Sequence, residues 1–244
     1  MRRFDYEPAS DVGVPLLHRP TSVLREPGLS AQAIQYLTQR FLRLYMSRVH
    51  GLTVRGSEHL PTRPPFVMIA NHTSHLDAVS LAVSLPRSWA SKTYPLAAGD
   101  VFFKSLAQAS MSSLLINALP VRRRSASRHA IEHLRERLDG DRCVFILFPE
   151  GTRSVDGRLG AFKSGLGMLV AQRSVPVVPC HIHGAHACWP RDRRLPRPGR
   201  VSVSIGPPLR FDAVEDCRSG WSTVADRCAA AVRDLADSAA GQRS

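Results

Sequence analysis

Two short runs, FVMIA (66–70) and CVFILF (143–148), contain no polar side chain and constrain the fold more than any other feature. Each is too short for a stable helix and is rich in branched and aromatic residues, so both read as buried strands. Between and after them the apolar spacing changes to a helical one in DAVSLAVSL (77–85), SRHAIEHLRERL (127–138) and GLGMLVAQ (165–172). VPVVPCHI (175–182) and VSVSIG (201–206) read as further strands, and STVADRCAAAVRDLADS (222–238) as a closing helix. Strands alternating with helices predict the α/β class: one domain with a central, largely parallel (mixed) sheet flanked by helices.

The 244 residues suffice for one domain with a sizeable core. Residues 1–29 carry Pro8, Pro15, Pro20 and Pro27 without periodicity and read as a poorly ordered arm. The domain proper then spans 30–240 and opens with an amphipathic helix over 30–50. There Ile34, Leu37, Phe41, Leu44, Tyr45 and Val49 recur at helical spacing, with Arg40 and Arg43 on another face. The ordinary expectation is that this helix packs on its own domain; bedding into a membrane surface is the alternative. No run approaches the roughly 20 apolar residues of a spanning helix. The start, MRRFDYEP, lacks an apolar signal region, which points to the cytoplasm.

A net charge of +13 favours anionic partners. Nearly all of it is arginine, since lysine occurs only at Lys92, Lys104 and Lys163. No zinc finger, RNA-binding motif or helix-turn-helix accompanies the charge, so nucleic acid is not the expected partner. The odd cysteine count of 5, with no closely spaced pair, argues against a disulfide framework. Cys180, His181, His183, His186 and Cys188 lie close in sequence, but their spacing fits no common zinc pattern, and no metal is expected.

Two loops follow the two buried runs, where ligands of open α/β sheets gather. The first is NHTSHLD (71–77). Ser74 and Asp77 have the spacing of a capping box, with Ser74 as N-cap. His72 and Asp77 are five apart, about 140° of helical rotation, and cannot share a helical face. With the helix starting near Ser74, however, His72 lies in the preceding turn and can fold back so that Asp77 accepts its Nδ1–H. Nε2 is then free to take a proton. His75 would point elsewhere; spacing favours His72 as the base without excluding the other. The second loop is FPEGTRS (148–154). Pro149 ends the strand, Gly151 permits a turn whose N–H groups can form an anion nest, and Arg153 adds a phosphate donor. The bland alternative is a Glu150–Arg153 pair that braces the loop.

With these motifs the chain resembles the glycerolipid acyltransferases typified by 1-acyl-glycerol-3-phosphate acyltransferase. The family's Asn-His-x-x-x-x-Asp block is matched by Asn71, His72 and Asp77, and its third block by FPEGTRS. The Val-Pro-x-x-Pro block is matched by Val175 to Pro179, and GRLGAFKSG (157–165) looks like the stretch after the third block. The second block departs from the pattern: Arg123 matches its arginine, while Asn117 stands for its glycine and Arg122 for its aspartate. The resemblance implies His72 as general base on an acceptor hydroxyl, with Asp77 orienting it, and attack on the thioester of acyl-CoA or acyl-carrier protein. It implies Asn71, Arg123, Glu150, Gly151, Thr152 and Arg153 in substrate binding, with no metal or cofactor. The acceptor expected is a lysophospholipid, most simply 1-acyl-glycerol-3-phosphate, with glycerol 3-phosphate or another lyso-lipid as alternatives. The expected setting is peripheral attachment to an anionic membrane surface on its inner face, through the 30–50 helix, Trp189 and the Arg-rich stretch WPRDRRLPRPGR (189–200). From a different class, a non-catalytic basic protein that binds membrane or nucleic acid is the competing expectation.

Overall fold

Along the strand Phe66–Ala70, alternation sorts side chains into two cores: Phe66, Met68 and Ala70 enter one, Val67 and Ile69 the other. The computed structural model describes residues 29–98, 117–121 and 128–241. In chain order its elements are α1 (Leu29–Val49), β1 (Thr53–Arg55), β2 (Phe66–Ala70), α2 (Asp77–Ser84), β3 (Thr93–Ala98) and β4 (Leu119–Val121). There follow α3 (Arg128–Asp141), β5 (Val144–Leu147), α4 (Gly165–Val170), β6 (Val177–His183), α5 (Ala185–Cys188), β7 (Ser202–Ile205) and α6 (Arg218–Gly241). The strands form one 7-stranded sheet in the order β1-β7-β6-β2-β5-β3-β4. Every pairing is parallel except β6 with β7, so the expected mixed, largely parallel sheet is what forms.

Helices cover both faces. Leu76, Leu81, Val83 and Leu85 around α2, with Met46 of α1, close one core. Leu134 and Leu138 of α3, Leu166 and Leu169 of α4, and Val224, Cys228 and Val232 of α6 close the other. Adjacent strands β2 and β5 therefore send their following helices to opposite faces, α2 to the first and α4 to the second. That reversal is a topological switch point, where two departing loops leave a crevice at the carboxyl edge. Ile69 pairs with Leu147 in parallel register, so NHTSHLD and FPEGTRS leave the sheet side by side.

Of the two expectations for the opening helix, packing of its apolar face on the domain is the one that fails. α1 has no buried apolar stripe along its length: Ile34, Leu37, Phe41 and Leu44 are 46–64% exposed. Its inward positions include Gln35, Gln39 and Met46, with Leu42 and Tyr45 partly buried. Gln35 Nε2 donates to Asn117 Oδ1 at 3.0 Å, and Arg43 donates to the Leu85 carbonyl at 2.7 Å. Polar bonds to the loop before β4 and to the end of α2, with buried Met46, hold this side of the helix inward, and its apolar side is left outside. Residues 1–28 of the expected arm lie outside the described residues, as does Arg123. Among the described residues no helix is long and apolar enough to cross a membrane.

The candidate active site

Asn71, the first residue past β2, is 4% exposed and clamps β6: its Nδ2 donates to the Ile182 carbonyl at 2.9 Å and its Oδ1 accepts from the Ile182 N–H at 2.8 Å. Both ends of the amide are thereby committed to backbone. The clamp fixes where the chain turns off the sheet, and so where the next residue, His72, stands.

His72 Nδ1 lies 2.9 Å from Asp77 Oδ2. The same carboxylate oxygen accepts from the N–H groups of Thr73 at 2.7 Å and Ser74 at 2.8 Å. As an acceptor only, the ionised carboxylate places the imidazole proton on Nδ1 and leaves the Nε2 lone pair outward. The capping expectation needs one correction. The hydrogen-bonded helix begins at Asp77 rather than at Ser74, after a turn over His75 and Leu76. Ser74 Oγ accepts from the Leu76 N–H at 3.0 Å and donates to the Trp189 carbonyl at 2.8 Å, while Asp77 still takes the Ser74 N–H. One carboxylate therefore both closes the turn and orients the histidine.

The second loop braces the first. Phe148 stacks on the His72 ring, with centroids 4.1 Å apart and planes 16° from parallel. Glu150 Oε1 accepts the His72 N–H at 2.7 Å, and the Ser154 N–H donates to the His72 carbonyl at 2.8 Å. Glu150 Oε2 takes the Gly160 N–H at 3.0 Å, so both of its oxygens serve backbone donors. Burial pushes this carboxyl above its usual range, and the two N–H donors pull it back. At Gly160 a Cβ would stand 2.8 Å from Glu150 Oε2, so a side chain there would press on the carboxylate that holds the two N–H groups. Gly151 takes φ 73°, a left-handed conformation, and turns the chain beneath Lys163. The turn spends its Gly151 N–H on the Phe148 carbonyl, which narrows the anion nest expected of it; Thr152 beside it is exposed.

His75 points away from Asp77, as expected, and meets Arg153. The guanidinium Nη1 lies against both ring nitrogens, 2.6 Å from His75 Nδ1 and 2.5 Å from Nε2, and Trp189 packs beside the ring, centroids 4.9 Å apart. An arginine can only donate, so a neutral His75 meets it with whichever of its two nitrogens is unprotonated. Burial and then the Arg153 charge hold His75 below its ordinary range; a bond to the Arg191 backbone works the other way. Trp189, expected among membrane-facing residues, is instead partly buried in this cluster, its indole N–H donating to the Arg193 carbonyl. The Arg-rich stretch itself forms turns without strand or helix.

The structure thus brings Asn71, His72, Asp77, Glu150, Gly151, Thr152 and Arg153 to one sheet edge. Phe148 was missed because it read as the end of a strand, and its motif position carried no sign of the imidazole above it. Asn117, which stands where the family pattern has glycine, adopts φ 54°. Asparagine is among the few side chains that tolerate this region, and here its amide also reaches the Ser91 and Thr93 carbonyls. Along β6 the alternation holds: Cys180 and Ile182 are buried, His181 is half-buried and His183 exposed. Among the described residues no three His, Cys, Asp or Glu side chains converge as a metal would need.

Residues 51–183, more than half of the chain, match the protein family described as Acyltransferase. The chain is 29% identical to mouse 1-acyl-sn-glycerol-3-phosphate acyltransferase alpha over 181 residues, covering 72% of this chain and 61% of that one. It is 31% identical to the 1-acyl-sn-glycerol-3-phosphate acyltransferase of Limnanthes alba over 190 residues, 72% of this chain and 64% of the other. It therefore spans less than two thirds of these relatives. The crystal structure of the 1-acyl-sn-glycerophosphate (LPA) acyltransferase PlsC from Thermotoga maritima superposes with a TM-score of 0.64 at 22% identity, over 91% of this chain and 87% of that one.

Proposed function

This chain belongs to the acyltransferase family, and we propose that it is an O-acyltransferase acting on a lysophospholipid, 1-acyl-glycerol-3-phosphate, with acyl-CoA or acyl-carrier protein as donor. The observation that carries this reading is the His72–Asp77 pair, held from both sides with Nε2 facing outward. Nε2 takes the proton of the acceptor hydroxyl as its oxygen attacks the thioester carbonyl. The tetrahedral adduct collapses by breaking the C–S bond, and the imidazolium returns its proton to the departing thiolate. An ester and a free thiol result. Asp77 stabilises the imidazolium meanwhile, and a base of this kind contributes about 10²–10⁴-fold.

In this reading Arg153, and Arg123 beyond the described residues, meet the acceptor's phosphate. Glu150 and Asn71 act indirectly, because their polar atoms hold the backbone. The exposed apolar side of α1 and the net charge of +13 support attachment to an anionic membrane surface, which in a bacterium or organelle would be its inner face. Each of Leu37, Phe41 and Leu44 would contribute on the order of 1 kcal/mol on leaving water. The test is thiol release from acyl-CoA across three acceptors: 1-acyl-glycerol-3-phosphate, glycerol 3-phosphate and a phosphate-free lyso-lipid. Release is expected with the first. Release with none of them rejects the reading, and release with glycerol 3-phosphate alone corrects the acceptor.

His75 gives a second measurable outcome. His75→Phe keeps a ring against Trp189 but removes the acceptor for Arg153. The KM for a phosphate-bearing acceptor should rise roughly 5–30-fold, with kcat within about twofold, as loss of one charge-assisted bond implies. The pH dependence follows the same geometry. His75 is held below its ordinary pKa by burial, then by the Arg153 charge and by nearby His72, while a bond to the Arg191 backbone and the Asp77 charge work the other way. Between the depressed and the ordinary value the unfolded chain binds more protons, so this group's contribution to stability is lost as pH falls through that window. Below it the protonated ring repels Arg153 and acceptor KM climbs. In His75→Phe that acid limb should vanish; an unchanged KM–pH profile would show that His75 does not position Arg153.

A further inference from the structure

The turned-out face of α1 does not meet solvent as a plain apolar stripe. Where α1 crosses the 3₁₀ segment Arg87–Lys92, it forms a groove with two cavities that share Arg87. The larger, about 550 Å³, is walled by Leu37, Phe41 and Leu44 and by three arginines, Arg40, Arg43 and Arg87. The neighbouring one, about 310 Å³, adds Tyr36, Ser88 and Ser91. No described carboxylate lines either cavity.

Three guanidinium groups share this groove, Arg43 partly buried and Arg40 and Arg87 exposed, and their like charges repel one another. Burial, then the positive charge of Arg87, hold Arg43 below its ordinary range. Arg43 is fixed there by its 2.7 Å bond to the Leu85 carbonyl. An anion would relieve that repulsion, and the apolar residues beside the arginines suit an amphiphile. The larger hollow is an open groove on the surface, as a ligand that stays part-embedded in a bilayer requires. Guanidinium forks suit phosphate oxygens better than lysine would.

We propose that this groove is a binding site for one anionic glycerophospholipid of the bilayer, its phosphate on Arg40, Arg43 and Arg87 and its chains alongside Leu37, Phe41 and Leu44. Leu85 closes α2 and Asp77 opens it, so about 12 Å of helix separates the groove from the catalytic pair. The lipid held here anchors and orients the domain on the surface and is distinct from the acceptor that reacts. The inference rests on the reading of α1 as membrane-facing.

Flotation of the full chain with vesicles tests it, using neutral phosphatidylcholine alone and phosphatidylcholine containing phosphatidylglycerol. The double variant Arg40→Gln/Arg87→Gln leaves the Arg43–Leu85 bond in place and should fold, as a thermal melt will check. It should lose roughly 10–30-fold in partition to the anionic vesicles and nothing to the neutral ones. Arg218→Gln/Arg233→Gln on exposed positions of α6 removes the same charge and should lose no more than about threefold, since distant charge is screened. Leu37→Ser/Phe41→Ser should lower binding to both vesicle types. Equal losses in the two arginine pairs would reduce the groove to non-specific attraction and overturn the site while leaving surface attachment standing. Undiminished binding by Arg40→Gln/Arg87→Gln would do the same. Wild-type protein that floats with neither vesicle rejects the membrane reading itself, and the site with it.

Discussion

Replacing His72 with alanine is expected to lower kcat by about 10²–10⁴-fold, with acceptor KM and melting temperature little changed. The side chain's Nδ1 is spent on Asp77 and one ring face on Phe148, which leaves Nε2 as the functional atom. Its removal takes away the proton acceptor but not the loop. Asp77 Oδ2 still receives the N–H groups of Thr73 and Ser74, and the His72 backbone still bridges Glu150 and Ser154. The decisive comparison is His75→Ala, which should cost far less in kcat, because His75 faces Arg153 rather than the carboxylate. Steady-state thiol release on both variants measures the difference. If activity persisted in His72→Ala and disappeared in His75→Ala, the base would be the wrong histidine.

The contrast between those two histidines was readable from spacing, because the five-residue separation of His72 from Asp77 and the turn at Ser74 are local properties. What lay beyond local reading depends on parallel register. Glu150 is 78 positions from His72 and reaches its N–H only because β2 and β5 pair as Ile69 with Leu147. The Arg153–His75 contact arises the same way. The resemblance implied Glu150 in substrate binding; its oxygens accept from the His72 and Gly160 N–H groups, contacts that no local pattern could show.

Strand legibility followed burial. β2 and β5, apolar throughout, were found almost to the residue, while β1 (Thr53–Arg55), an edge strand with its outer positions exposed, had no pattern to find. β3 (Thr93–Ala98) contains Pro95, which argues against a strand unless pairing partners are known. The sequence leaves the rotation of α1 open between its own domain and a membrane surface. Periodicity shows that a helix has an apolar face, but the side of α1 that faces the domain bonds through Gln35 to Asn117 and through Arg43 to Leu85. Those partners are 82 and 42 positions away.

Asp77→Asn should damage both activity and fold, unlike His72→Ala. Oδ2 receives three donors, and Oδ1 is buried without a partner among the described residues. An asparagine has two ways to sit there. With its carbonyl in the Oδ2 position it keeps the three donors, but weaker, and it drives an NH₂ into the site that offered Oδ1 nothing. Flipped, it points its own donors at three others. Either way a fully buried side chain loses charge-assisted bonds, costing about 2–4 kcal/mol, or roughly 4–16 °C in melting temperature for a domain of this size. The chemical loss is separate. A neutral amide does not offset the imidazolium that forms at His72 during attack, and the flipped amide would favour the tautomer with its proton on Nε2. Activity should then fall by about 10²–10⁴-fold at temperatures where the variant is still folded. Melting curves and kcat, measured together, separate the two effects. A variant that melts early but turns over like wild type would make Asp77 a loop staple only. One that melts normally and is inactive would mean that His72, not the turn, is what the carboxylate chiefly serves.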